Sequence, residues 1–177
     1  MRNPIQTILS AAALAAVLSA PGVVHAEVDD CLVGVWAADM EDMAHVFATQ
    51  MSATSATVDG IAELRILPEG QAEMTFSDVA FDFLVPGNPP MKVVVTGVSD
   101  SAIDTIETFI WFRDNTSEIS ARAEFLGQVL EMSKEDFSPL TSGNFTAEFG
   151  CTESTLAFES ENLGQIPRLW HRIAEDG

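Results

Sequence analysis

Ile61-Ala62-Glu63-Leu64-Arg65-Ile66-Leu67-Pro68-Glu69-Gly70-Gln71-Ala72-Glu73-Met74-Thr75-Phe76 is the stretch that decides the fold. Two runs alternate apolar with polar side chains, and Pro68 to Gln71 interrupts them with a Pro and a Gly. Alternation with a period of two places one set of side chains on each face of a strand. Two such runs joined by a short Pro/Gly segment read as a hairpin, 61–67 against 72–85.

The same grammar continues in both directions. Met91 to Val98 follows Pro86-Gly87-Asn88-Pro89-Pro90, Ala102 to Arg113 follows Ser99-Asp100-Ser101, and Glu118 to Met132 follows Asp114-Asn115-Thr116. A polar stretch, Ser133 to Gly143, precedes further strands at Asn144 to Cys151, Ser154 to Glu159 and Ile166 to Ile173. Upstream, Leu32-Val33-Gly34-Val35-Trp36 is a first short strand. Sequential strands joined by short turns pair antiparallel, so about eight or nine strands form a meander. A meander this long must hide its edges. Closure into a barrel does so, with a two-layer sandwich as the competing arrangement.

One segment breaks the pattern. Met40, Met43, Ala44, Phe47 and Met51 recur at helical spacing behind Asp39, a residue type that caps helix N-termini, so a helix is expected over 39–53. The fold class is therefore all-β with one helix after the first strand: an antiparallel meander closing into a small soluble barrel. A transmembrane barrel fits less well, since the chain has no tyrosine for the aromatic girdles.

Arg2, the apolar run from Ile8 to Ala20, the Pro21-Gly22 break and the triplet Val24-His25-Ala26 read as a secretory signal peptide over residues 1–26. The apolar run falls short of the ~20 residues that span a bilayer, so no transmembrane anchor is expected. Residues 27–177 then form a single domain in the periplasm or the secreted fraction. In an oxidising compartment Cys31 and Cys151 pair by default, with two buried thiols as the alternative.

The formal net charge is −19, and Lys92 and Lys134 are the only lysines. Repulsion from phosphates argues against nucleic acid as a partner. The carboxylates read as a solvated surface of an acidic protein, and without a D-x-D-x-D-G loop they build no calcium site. Neither G-x-S-x-G, H-E-x-x-H nor a glycine-rich phosphate loop is present, so the expectation is no enzyme, no cofactor and no metal.

Gly34-x-Trp36 on the first strand and Pro167-Arg168-Leu169-Trp170-His171-Arg172 at the end of the domain resemble the two termini of the calycin barrels, the superfamily of lipocalins and fatty-acid-binding proteins. That resemblance implies a Trp at the closed base of the barrel under an Arg from the last strand, here Trp36 with Arg172 or Arg168. It also implies a small hydrophobic ligand, lipid or fatty-acid-like, inside the barrel. Met40, Met43 and Phe47 would form a lid, Phe76 and Phe125 part of the lining, and Arg168 the contact to a carboxylate.

The inward set is expected to be Leu64, Ile66, Met74, Phe76, Val93, Val95, Ile106, Ile110, Phe112, Ala121, Ala123, Phe125, Phe145, Ala147 and Phe149. Whether these leave a cavity or fill the core stays open. A filled core points instead to an interaction or structural module, monomeric or a homodimer meeting through Phe109 and Trp111.

Overall fold

The alternation between Ile61 and Phe76 becomes a hairpin of β2 (Ser55–Leu67) and β3 (Gln71–Leu84), paired in register from Ser55 opposite Leu84 to Leu67 opposite Gln71. The computed structural model describes residues 28–132, 144–159 and 167–173. The expected signal peptide and the polar stretch 133–143 lie outside the described residues. The remaining elements are β1 (Gly34–Ala38), α1 (Met40–Gln50), β4 (Met91–Ile106), β5 (Phe109–Ser117), β6 (Ser120–Phe125), β7 (Gln128–Met132), β8 (Phe145–Cys151), β9 (Thr155–Glu159) and β10 (Leu169–Arg172).

Every strand pairing is antiparallel, and the strands close into an eight-stranded barrel. The lanes run β1, β2, β3, β4, then β5 with β6 end to end, then β8, β9, β10 and back to β1. β4 makes this possible by serving two partners along one edge. Its first half, Met91 to Thr96, pairs with β6, and Ser99 to Ile106 pairs with β5. The handover falls at Gly97, whose φ of 132° lies in the region that favours glycine and whose missing Cβ leaves room for the Glu118 carbonyl. β7 folds back on β6 as an outlying hairpin.

Two of the turns read in the sequence are strand instead. Ser99-Asp100-Ser101 lies inside β4, where Ser99 and Asp100 pair with Met74 and Glu73 of β3. Asp114-Asn115-Thr116 lies inside β5. The real breaks are two-residue turns at Glu107-Thr108 and Leu126-Gly127, neither of which carries an Asn or Asp. Glu107, Leu126 and Gly127 take φ values of 55°, 51° and 75°, as primed hairpin turns require.

The first of these turns moves one expected inward residue to the outside. Ile106 pairs directly with Phe109 across the turn, so both point outward, and Ile106 is 61% exposed. Ile103 takes the inward place instead.

The barrel interior is one continuous apolar cluster. Trp36, Trp170, Phe112, Phe158, Leu64, Ile66, Ile110, Leu156, Val79 and Val95 are fully buried within it. Phe112 stacks on Phe145 at 4.3 Å and meets Phe158 edge-on at 6.0 Å. Val28 and Leu32 plug the base, where the Trp36 indole N–H donates to the Leu32 carbonyl at 2.8 Å.

The opposite end is uneven. β1 pairs only with the second half of β2, so the start of β2, the end of β3 and the start of β4 project past it. α1 covers the inner side of this projection. Asp39 caps it by accepting from the Asp42 backbone N–H at 2.9 Å, and Met40, Met43 and Phe47 face the core.

Candidate functional site

The closed base is built around Arg172. Its guanidinium lies over the Trp36 ring, with the carbon 4.0 Å from the ring centroid, and donates to the carbonyls of Val33 (2.7 Å), Cys31 (2.8 Å) and Glu153 (2.9 Å). Gly34 makes the space: its φ is 143°, and a Cβ there would overlap the guanidinium. The G-x-W triplet thus has a steric meaning, because the glycine admits the Arg that covers the tryptophan. The Cys31–Cys151 disulfide, with Cα atoms 6.2 Å apart, ties the segment before β1 to the end of β8 beside it.

Arg168 does something else. It pairs with Asp42 on α1, and that carboxylate raises its pKa. Beside it His171 Nε2 lies 2.9 Å from Asp39 Oδ2. Together these two pairs fasten the first turn of α1 to β10 and the residues just before it. The Asp39 carboxyl is held below its ordinary value, first by the Asp42 backbone N–H and then by His171. Arg168 therefore serves as a tether on the helix rather than as a charge inside the barrel.

The expected lid residues are brought together, and they are packed. Phe47 lies 4.5 Å from Phe81 and 5.1 Å from Phe83, ring centroid to ring centroid, and Met43 is buried beside the same cluster. Phe76 is deep in the core. Phe125 is not; it sits half-buried at the projecting end.

That end carries an open concavity. An open cleft of about 650 Å³ is framed by the start of β2, the end of β3, the start of β4 and the turn between β6 and β7. Two neighbouring register rows border it, their side chains directed to opposite faces of the sheet. One runs Ala56, Phe83, Met91, Phe125 and Gln128; the next runs Thr57, Asp82, Lys92, Glu124 and Val129. Leu84, Pro90 and the turn residues Leu126 and Gly127 complete the rim. Leu126 is 72% exposed, an unusual position for a leucine at the tip of a hairpin.

Phe83 packs on Phe47 of α1 from the inner face of the sheet and borders the cleft from beneath. Among the expected ligand residues, only Phe125 lines the cleft. Phe83, Leu84, Met91, Lys92 and Leu126 were not singled out by sequence reasoning, because their convergence depends on strand register, which a single chain's pattern does not print. A second open concavity, of about 420 Å³, is lined by the polar set Arg65, Gln71, Glu73, Asp100 and Ser101 with Leu67, Ala72 and Ala102.

No protein-family model, no curated protein and no solved structure matches this chain.

Proposed function

We propose that this protein is an exported, non-catalytic binding protein that takes a small hydrophobic ligand at the rim of its barrel. The observation that carries the reading is the cleft of about 650 Å³, whose lining includes the exposed apolar residues Leu84, Leu126 and Val129. It falls within the ~300–1,000 Å³ range of small-molecule sites, and its lining mixes apolar with polar and charged residues. The barrel interior holds its own side chains, so the ligand sits at the rim.

Two features support the rest. The disulfide and the absence, among the described residues, of a helix long enough to cross a membrane fit an exported protein. The arrangement of Gly34, Trp36 and Arg172 at the base is what a calycin-like barrel would carry, and that superfamily binds hydrophobic ligands. The likeness supports a binding role without fixing the ligand.

Native mass spectrometry of the protein purified gently from its own host, followed by extraction of bound molecules, tests this. A discrete apolar compound is expected. In parallel, N-phenyl-1-naphthylamine, a neutral fluorescent probe, should bind and be lost on Leu84→Asp combined with Leu126→Asp, both exposed positions that leave the core intact. An apo mass together with no probe uptake overturns the reading.

A filled-core interaction module is the second reading, favoured by one patch. Ile106, Phe109 and Trp111 stand together on the outer face, with Phe109 and Trp111 rings 6.4 Å apart, beside the Arg113–Asp104 ion pair. Size-exclusion chromatography with light scattering would show a dimer if this patch joins two copies; a monomer counts against that use.

A further inference from the structure

The rim cleft also carries a charge pattern that bears on its ligand's head group. Lys92 of β4 is in direct register with Asp82 of β3 on one side and Glu124 of β6 on the other, and all three line the cleft. Directly opposed residues place their Cβ atoms ~4.5–5.5 Å apart, so Lys92 is flanked in register by two acidic residues. The two carboxylates are exposed, whereas Lys92 is half-buried. The next cation along β6, Arg122, faces Glu131 of β7 in the same manner. The rim therefore presents an excess of negative charge beside its apolar wall, on a chain whose formal charge is −19.

We infer that the rim selects amphiphiles whose head group is a cation, of the alkylammonium kind, and discriminates against carboxylate lipids. This rests on the rim being the binding site and narrows its ligand class. An apolar tail would lie along Leu84, Leu126 and Val129, the exposed apolar residues that share a sheet face with Asp82 and Glu124, with an ammonium near those two carboxylates. A fatty-acid carboxylate in the same pose would meet both acidic groups, two negative charges against the single lysine of that row.

The test compares three probes of equal chain length: decyltrimethylammonium, decyl maltoside and decanoate. Each displaces N-phenyl-1-naphthylamine from the full chain at low salt and below its micelle concentration. The cationic probe should bind at least about tenfold tighter than decanoate, with the gap narrowing as salt is raised. Asp82→Asn with Glu124→Gln should close the gap. Glu69→Gln with Glu153→Gln, the same change of net charge away from the cleft, should leave it. Equal binding of the two charged probes, or a preference for decanoate, overturns the inference while the rim site stands. A gap closed equally by the remote pair also overturns it, because the preference would then belong to the field of the whole protein. Failure of all three probes to bind removes the rim site itself.

Discussion

Trp36 and Arg172 are direct cross-strand partners where β1 meets β10, and the same Arg172 lies over the Trp36 ring. Register and cation–π contact thus fix one another: the seam cannot slip by a residue without separating the two side chains. Replacing Arg172 with Met removes that contact and three charge-assisted hydrogen bonds to carbonyls. A loss of about 3 kcal/mol is expected in guanidinium unfolding. Arg172→Lys should recover less than half, since an ammonium cannot reproduce the planar fork. An Arg172→Met variant as stable as the parent would show that the base is held by other contacts.

Gly34→Ala should cost about 2 kcal/mol, from both the positive φ and the overlap with the guanidinium. In the Arg172→Met background only the backbone part remains. The double-mutant cycle should therefore be non-additive, with the Gly34→Ala penalty roughly halved. Strict additivity would dissociate the glycine from the arginine.

Cys31 and Cys151 close a loop with a sequence separation of 120. Replacing both by Ser should lower stability by about 4 kcal/mol, as chain-entropy estimates for loops of that length imply. Far-ultraviolet dichroism should still report strands, because the apolar cluster is independent of the bridge. A change below ~1 kcal/mol would mean that the hydrogen bond from Arg172 to the Cys31 carbonyl already restrains this segment.

Asp39 gives the helix a pH dependence whose sign is fixed by geometry. Its carboxyl is held below 3.8 in the folded protein, so the unfolded chain takes up this proton first as pH falls. The stabilisation is complete above that ordinary value and is lost as pH drops through the lower, folded one. Asp39→Ala should cost about 1 kcal/mol at neutral pH. The gap between parent and variant should shrink in acid. A gap independent of pH would remove the capping carboxylate as its source.

Leu126→Asn places a residue that accepts positive φ in front of Gly127, producing the Asn-Gly pair that two-residue hairpins favour. A gain of about 0.5 kcal/mol is expected. Probe binding at the rim should weaken at the same time, because Leu126 contributes apolar wall to the cleft. Undiminished binding would place the leucine outside the site.

Much of the architecture was legible because strand alternation is a local signal. The Ile61 to Phe76 hairpin and the helix behind Asp39 follow from residue type and spacing, whereas the barrel stood against a sandwich, and the cysteine pair against two buried thiols, until the strand pairings and the disulfide decided. Turn chemistry misled where polar residues sit in continuous strands, as at Ser99 to Ser101, and where turns carry unconventional residues, as at Glu107-Thr108. The displacement of Ile106 to the surface follows from that second miss, since a two-residue turn inverts the alternation beyond it. The rim cleft was the least legible part. Phe83, Met91 and Phe125 come from three strands, and only register shows that they stand in one row.

The seam between β1 and β10 also sets an order of events. β1 finds one neighbour at once in β2, but its other edge stays open until residues 169–172 are available to close it. A chain emerging from its N-terminus, from a ribosome or through a membrane pore, can form the β2–β3 hairpin early yet cannot bury Trp36 under Arg172 until β10 has arrived. Contacts of such long sequence separation make closure slow. Throughout that interval the strand edges and the apolar interior are exposed, so the acidic surface that keeps like chains apart matters most before the barrel exists.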